Sequence, residues 1–348
     1  MPKESFCEYF AYKTLVLPLR FRRALLAYQG FPCRGIFRAT LSGAGPVPRS
    51  LLLLVGPTAS GKTALVEALA RDLPLRLISA DSQQVYRGLD IGTSKPGPLT
   101  RGQWDLVDVA DLGTSFSAGE FCRLAAAACE AAWALGRVPL LCGGTGLYLK
   151  ALLEGLVDLP PVPPELRIAL VHEWREHGLE GLLARLDRAD PGLAAGIDRA
   201  NPRRVLRALE VFEATGKPLS AWQASATRPS LLPDRTLWLG LDPGRDALNA
   251  RITERTDQCL RDGWLREVSE LAEVHGDEAI KACPAIGYPE LLDHLRGRLS
   301  LSEAREAILG RTRRYARRQG TWFRAQVGIE WAPSGEPLTA RARSFIED

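Results

Sequence analysis

The residues with the clearest chemical meaning form a glycine-containing segment that follows a short apolar run at residues 51–55. The segment consists of Gly56, Pro57, Thr58, Ala59, Ser60, Gly61, Lys62 and Thr63. The apolar run predicts a buried parallel strand, and residues 64–72 predict a helix. A loop of this spacing between a strand and a helix directs backbone N–H groups at one anion, and Lys62 adds a positive charge. The segment therefore predicts a phosphate-binding loop, in which the Thr63 hydroxyl can bind Mg²⁺.

Two further buried strands are predicted at residues 75–79 and 138–142, and each is followed by a polar segment. Alternation of such strands with helices predicts a parallel sheet with helices on both faces. In sheets of this kind, ligands bind beyond the carboxyl ends of the strands. We therefore expect an α/β fold with a P-loop NTPase-like parallel sheet core flanked by helices. The phosphate loop, Asp81 and residues 143–148 should surround one crevice.

The chain divides into five parts by composition and pattern. The prolines at residues 160–164 mark a boundary, after which the sequence predicts helices until a strand returns to the core. The expected parts are a basic extension at residues 1–48, the first part of the core at 49–157, an all-helical insertion at 158–234, a returning strand with basic helices at 235–335, and a tail at 336–348.

The extension at residues 1–48 is rich in arginine and poor in acidic residues. This composition is typical of an organelle transit peptide, and also of upstream sequence translated from a start site set too early. We favour a poorly ordered extension without function over a targeting signal.

Composition limits the class of protein. The net charge is +4, and the chain contains no apolar run of the ~20 residues that a membrane span requires. Seven cysteines occur without a Cys-x-x-Cys pair, so the sequence supports neither a zinc site nor a disulfide framework. This pattern favours a cytosolic protein without membrane contact.

Asp81 is the first candidate for a chemical role outside the phosphate loop. It follows the second predicted strand, where it could act as a base, bind Mg²⁺ or simply stabilise a turn; the first two roles are favoured by its position across the crevice. P-loop NTPases also place an acid at the end of a core strand to hold magnesium. Residues 140–144 contain no such acid, which favours phosphate binding without ATP hydrolysis.

Residues 300–324 form a strongly basic predicted helix with seven arginines and two glutamates. Aromatic residues interrupt the charges, a pattern that suits the backbone of a nucleic acid better than a solvated helix face. The arginines Arg313, Arg314, Arg317 and Arg318 fall on two adjacent faces of this helix. Arg203, Arg204 and Arg207 are expected to be exposed on another helix, which strengthens the prediction of nucleic-acid contact.

Six segments resemble the tRNA dimethylallyltransferase family, in that family's order, and together they span about residues 50–332. They are residues 56–63, 81–93, 143–148, 203–210, 286–288 and 318–324. The resemblance implies a P-loop core with a helical insertion. It also implies transfer of a dimethylallyl group from dimethylallyl pyrophosphate to N6 of the adenosine on the 3′ side of the anticodon in tRNA. We expect the chain to act as a monomer.

The resemblance also implies roles for individual residues. Asp81 resembles the general base, Thr58 the residue that bonds the bridging oxygen of pyrophosphate, and Arg255 the arginine that clamps it. The residues that match tRNA-contacting positions are Asp81, Ser82, Gln83, Gln84, Thr145, Arg167, Arg203, Arg204, Val205, Leu206 and Arg207. The charge pattern adds Arg314 and Arg318 to this set.

Three other functions remain open at this point. The same loop could bind ATP in a small-molecule kinase, although the missing strand acid and the basic helix argue against it. The chain could be an RNA-binding adaptor without catalysis, but Thr58, Lys62, Asp81 and Arg255 are all present. It could also prenylate free adenylate, yet the helical insertion and the basic helix favour a polymeric substrate.

Overall fold

Six strands form the centre of the fold in a computed structural model that describes residues 48–157, 159–224 and 227–348. They are β1 (Ser50–Val55), β2 (Leu75–Ser79), β3 (Trp104–Asp105), β4 (Val138–Gly143), β5 (Arg235–Leu241) and β6 (Ile329–Ala332). All pair in parallel, in the order β3-β2-β4-β1-β5-β6. The expected α/β fold with a parallel sheet is thereby confirmed. The predictions for residues 1–47 fall outside the described residues.

Alternation along the strands explains why helices cover both faces of this sheet. In β1, Leu51 and Leu53 face one hydrophobic core, and Leu52 and Leu54 face another on the opposite side. A strand that is buried on both faces reads as a continuous apolar run, as β1 does. The helices of the first half of the chain are α1 (Lys62–Asp72), α2 (Pro98–Arg101), α3 (Ala118–Ala134) and α4 (Gly146–Glu154).

A separate helical core follows α4. Its helices are α5 (Pro164–His177), α6 (Glu180–Ala189), α7 (Pro191–Gly196), α8 (Pro202–Thr215) and α9 (Leu219–Gln223). Their apolar faces meet in a cluster that contains Leu182 and Leu209. The chain leaves and re-enters the sheet domain at one place, because Leu156 forms an antiparallel bridge with Arg228. The exact bounds of the insertion stay a prediction.

The second half of the chain contributes six helices and a third core. They are α10 (Arg245–Arg261), α11 (Trp264–His275), α12 (Asp277–Ala282), α13 (Tyr288–Leu295), α14 (Leu301–Arg324) and α15 (Gly335–Glu347). Glu267 of α11 accepts hydrogen bonds from the backbone N–H groups of Asp90 and Ile91, at 3.1 and 2.8 Å, and from the Tyr288 hydroxyl at 2.7 Å. These bonds join the long loop after β2 to the C-terminal helices.

The sequence prediction for the C-terminal region omitted, among other elements, a strand and a terminal helix. The strand β6 extends the sheet beside β5. Residues 336–348 are not a simple tail, because most of them belong to α15. Leu338, Ala342 and Phe345 of this helix are buried against the sheet in the same core as α1. None of the helices in the described part of the chain is long and apolar enough to cross a membrane.

Candidate active site

The phosphate loop leaves β1 and closes on the N-terminus of α1, as the sequence predicted. Gly56 adopts a φ of 150°, and a Cβ atom there would lie 2.4 Å from the Leu241 carbonyl oxygen, so a side chain cannot be accommodated. The first turn of α1 contains no acidic residue. A helix N-terminus of this kind presents N–H groups to an anion.

Lys62 contacts the phosphate loop to which it is expected to add a positive charge. Its Nζ donates to the carbonyl oxygens of Gly56 and Pro57, at 3.0 and 2.7 Å. Burial lowers the pKa of the Lys62 ammonium from its ordinary value. The ammonium is thus held beside the anion cradle, in partly buried surroundings that strengthen its attraction for a phosphate group.

Thr58 is held from two sides by residues that are distant in sequence. The Arg255 guanidinium on α10 donates to Thr58 Oγ1 at 2.9 Å. The side-chain oxygen of Gln319 on α14 accepts from the Thr58 N–H at 2.8 Å. Thr58 and Arg255, both predicted as pyrophosphate ligands, are therefore in direct contact.

Asp81 lies at the carboxyl end of β2, in a loop that is tied to the loop after β4. Its Oδ1 accepts from the Gln83 N–H at 2.8 Å. The Thr145 hydroxyl accepts from the Ser82 N–H at 3.0 Å. Gln84 is used internally, since its amide accepts from the Ser79 hydroxyl and donates to backbone carbonyls further along the loop. These contacts fix the Asp81 carboxylate relative to the sheet.

The phosphate loop, Asp81 and Arg255 line one cavity of about 370 Å³. Its polar end contains Thr58, Gly61, Lys62 and Thr63, and its other walls include the side chains of Ile252, Trp264, Ile286 and Ile308. Cys142 lies beneath the loop, where burial raises the pKa of its thiol to about 12, so that it stays protonated. The cavity therefore joins an anion-binding end, a carboxylate and an apolar wall.

Among the residues of this cavity that were not predicted as site residues are Arg251, Tyr315 and Gln319. Arg251 precedes Arg255 by one helical turn and donates to the Ser60 carbonyl oxygen at 2.8 Å. Tyr315 lines the cavity from α14, and burial raises the pKa of its phenol, which stays neutral. Gln319 is a polar residue on the buried face of the same helix. The four-residue spacing of Arg251 and Arg255 and the polar interruption at Gln319 were the available sequence signals.

The seven arginines of α14 divide into two groups. Arg305, Arg311 and Arg324 form ion pairs with Asp257, Glu290 and Asp242. Arg313 is partly buried and donates to the Thr253 hydroxyl at 3.1 Å. Arg314, Arg317 and Arg318 are exposed, and no carboxylate in the described ranges pairs with them. This second group is the surface on which we expect nucleic-acid contact.

The helical insertion holds the other predicted tRNA contacts. Arg203 and Arg204 are exposed in the first turn of α8, where positive charge is unfavourable next to the positive end of the helix dipole. Arg167 and Arg207 are partly neutralised by Glu210, at 3.4 and 3.2 Å. Within the described part of the chain, none of these four arginines lines the cavity.

Val205 and Leu206 require a correction to the predicted tRNA contacts. Both side chains are buried in the helical core, with 0% and 6% of their surface exposed. They face the interior because they occupy the apolar side of α8. Their side chains are therefore not available to RNA, in contrast to those of Arg203 and Arg204.

The sheet topology and the site define the class of this protein. It is a P-loop α/β protein with an anion cradle after β1, an acidic residue after β2 at the same edge of the sheet, and a basic helix beside them. The family model for IPP transferase matches residues 84–326, and the chain belongs to that family.

Individual relatives agree with this assignment. The chain is 44% identical over 308 residues to tRNA dimethylallyltransferase 1 of Pelobacter propionicus, covering 87% of this chain and 98% of that one. It is 46% identical over 290 residues to the tRNA dimethylallyltransferase of Anaeromyxobacter dehalogenans, covering 82% and 96%.

Two solved structures are similar in fold. The tRNA isopentenylpyrophosphate transferase of Bacillus halodurans matches with a TM-score of 0.60 at 33% identity, over 86% of this chain and 97% of that one. A eukaryotic dimethylallyltransferase acting on tRNA matches with a TM-score of 0.69 at 25% identity, over 86% and 79%.

Proposed function

We propose that this chain is a tRNA dimethylallyltransferase. It transfers the dimethylallyl group of dimethylallyl pyrophosphate to N6 of the adenosine on the 3′ side of the anticodon. The observation that carries the proposal is the single cavity of about 370 Å³ that contains the phosphate loop, Asp81 and an apolar wall. Each of these parts matches one requirement of the reaction.

The diphosphate binds at the phosphate loop. Lys62 and Arg255 offset its negative charge, and the Thr58 hydroxyl bonds the oxygen that bridges to the prenyl carbon. Stabilising this oxygen lowers the barrier to breaking the bond between it and C1 of the prenyl group. Arg255 is suited to offset charge beside the bridging oxygen because its guanidinium already donates to Thr58 Oγ1 at 2.9 Å.

The dimethylallyl group lies against the apolar wall formed by Ile252, Trp264 and Ile308. As the C1–O bond breaks, its electron pair leaves with the diphosphate, and positive charge develops on the allyl group. Excluding water prevents hydrolysis of this electrophile. The N6 nitrogen forms the new bond to C1, and the Asp81 carboxylate takes the N6 proton.

The tRNA binds on the surface formed by Arg314, Arg317 and Arg318, with further contacts from the insertion. Phosphate contacts orient the RNA without reading its sequence. The target adenosine must leave its stack to reach Asp81 inside the cavity. The chain works as a monomer in the cytosol.

Mg²⁺ is the proposed cofactor. Thr63 lines the cavity in the first turn of α1, where its hydroxyl can hold the ion together with diphosphate oxygens. The described residues contain no group of three or more His, Cys, Asp or Glu side chains that could hold a metal. This fits Mg²⁺, which keeps several waters and binds largely through substrate phosphates. When bound, it would offset charge on the leaving group.

The direct test is incubation with dimethylallyl pyrophosphate, MgCl₂ and either unmodified tRNA or AMP, followed by nucleoside analysis. We expect N6-(dimethylallyl)adenosine in tRNA, and none from AMP. The Asp81→Asn variant keeps the size of the side chain but removes its charge. It should lose about 10²–10⁴-fold in turnover, with tRNA affinity little changed.

Other outcomes favour other functions. Prenylated AMP without tRNA product would favour a free-adenylate transferase. ATP turnover that requires Lys62 would favour a kinase. Tight tRNA binding with no product under any donor would favour an adaptor. Near-normal turnover of Asp81→Asn would refute the role of Asp81 but not the overall reaction.

A further inference from the structure

Gln319 connects the basic helix α14 to the phosphate loop. Its Oε1 accepts from the Thr58 N–H at 2.8 Å, and its Nε2 donates to the Gly144 carbonyl oxygen at 3.0 Å. The residue is only 5% exposed, on the helix face that also buries Ala316 and Phe323. A buried amide is costly unless both of its ends are bonded. Its position on this face therefore requires these two partners.

Unusual backbone positions lie beside both partners. Ala59, which follows Thr58, has a φ of 63°, an unfavourable value for a residue with a side chain. Such strain persists only where surrounding contacts hold the backbone. On the other side, a Cβ atom on Gly144 would lie 2.0 Å from Gln319 Nε2, so a glycine is needed where the amide approaches.

We propose that Gln319 is a positioning residue for the transfer reaction. It holds the Thr58 peptide so that the Thr58 hydroxyl and the Arg255 guanidinium bonded to it face the diphosphate. Gln319 acts through Thr58, on the leaving-group side of the cavity, and not through Asp81. This inference rests on the proposed function.

The first test replaces the amide with a side chain of similar length. Gln319→Met should lower kcat about 10- to 100-fold, because a small displacement of a reacting group is enough for such a loss. The affinity for tRNA should not change. Gln326→Met is the matched control, since Gln326 follows the same helix and, among the described residues, its side chain bonds only the Trp322 carbonyl oxygen, at 3.1 Å. Its kcat should be that of the unchanged chain.

A double-mutant cycle separates positioning from general structural damage. We compare kcat for Gln319→Met, Thr58→Ala and the double variant. If Gln319 acts through Thr58, the double variant should be no slower than Thr58→Ala alone. If the two losses multiply, the residues act independently and the inference is wrong.

Gly144→Ala provides a second route if Gln319→Met does not fold. The added Cβ displaces the Gln319 amide and leaves the apolar packing of α14 intact. The double variant of Gly144→Ala and Thr58→Ala should likewise be no slower than Thr58→Ala alone. Normal kcat in Gln319→Met or Gly144→Ala, with product formed by the unchanged chain, would overturn the inference and leave the proposed function standing. Absence of product from the unchanged chain would refute the proposed function itself.

Discussion

Replacing Arg314 and Arg318 together by alanine should weaken tRNA binding in a salt-dependent way. Both side chains are exposed on α14, and no carboxylate in the described ranges pairs with them. By contrast, Arg305 of the same helix pairs with Asp257 at 2.6 Å. Arginines that are not already paired can neutralise RNA phosphates and release counterions. These two are therefore expected to contribute to tRNA affinity.

The magnitude follows from the number of phosphate contacts. Each lost contact should reduce the slope of log affinity against log salt by about 0.7 to 0.9, so the double variant should lose about 1.4 to 1.8 in slope. When salt rises from about 50 to about 200 mM, tRNA affinity falls by some factor in each protein. That factor should be about 7 to 12 times smaller for the double variant than for the unchanged chain. All substrate tRNAs should be affected alike, because phosphates carry no sequence information.

Fluorescence anisotropy with a labelled anticodon stem-loop across this salt range measures the slope. The matched control is Arg71→Ala with Arg137→Ala, which removes the same charge. Arg71 and Arg137 are exposed and precede β2 and β4, so they lie at the edge of the sheet opposite the phosphate loop. The control should keep the slope. An unchanged slope in the α14 variant, with circular dichroism intact, would show that this helix face is merely solvated.

Three further predictions concern the donor site and the fold. Arg255→Ala should reduce kcat/KM for dimethylallyl pyrophosphate about 10²–10³-fold; a fall in tRNA affinity with unchanged donor kinetics would instead make Arg255 an RNA contact. Gly240→Ala places a Cβ 2.4 Å from the Trp331 ring, so thermal unfolding should show a loss of about 1–3 kcal/mol, while activity per folded molecule persists. Burial opposes ionisation of Asp90, but hydrogen bonds from Lys95 and Arg101 more than offset this effect. The pKa of Asp90 therefore lies below its ordinary value. Its contribution to stability is therefore present above about pH 4 and lost as the pH falls through the lowered pKa, and urea unfolding of Asp90→Asn should depend less on pH in that acidic range.

The sequence was most informative where neighbouring residues determine the structure. The strand before the phosphate loop, the helix after it and the alternation of strands and helices all follow from short-range patterns. The helix predicted over residues 300–324 is α14, and Ser300 and Glu303 form a capping box at its start. Asp81 was placed at the end of β2 by the same reasoning. Its role as a base, which its position and the family resemblance both favour, stays a prediction.

Local pattern failed for the C-terminal segment. The apolar spacing of Leu338, Ala342 and Phe345 is helical, but their burial depends on a sheet surface formed by distant residues. The tRNA contacts of Val205 and Leu206 were carried over from family resemblance, and they are wrong for the side chains because the apolar side of α8 faces a core.

The tertiary structure alone decided which polar groups meet. Thr58 and Gln319 are 261 residues apart in the chain, and no periodic pattern relates them. Likewise, the charge of α14 was evident from composition, but its division into paired and exposed arginines depends on carboxylates of other helices. Periodicity reports which face of an element is buried, because that depends on the element's own repeat. It cannot report what the face is buried against, since this is set by where separate elements dock.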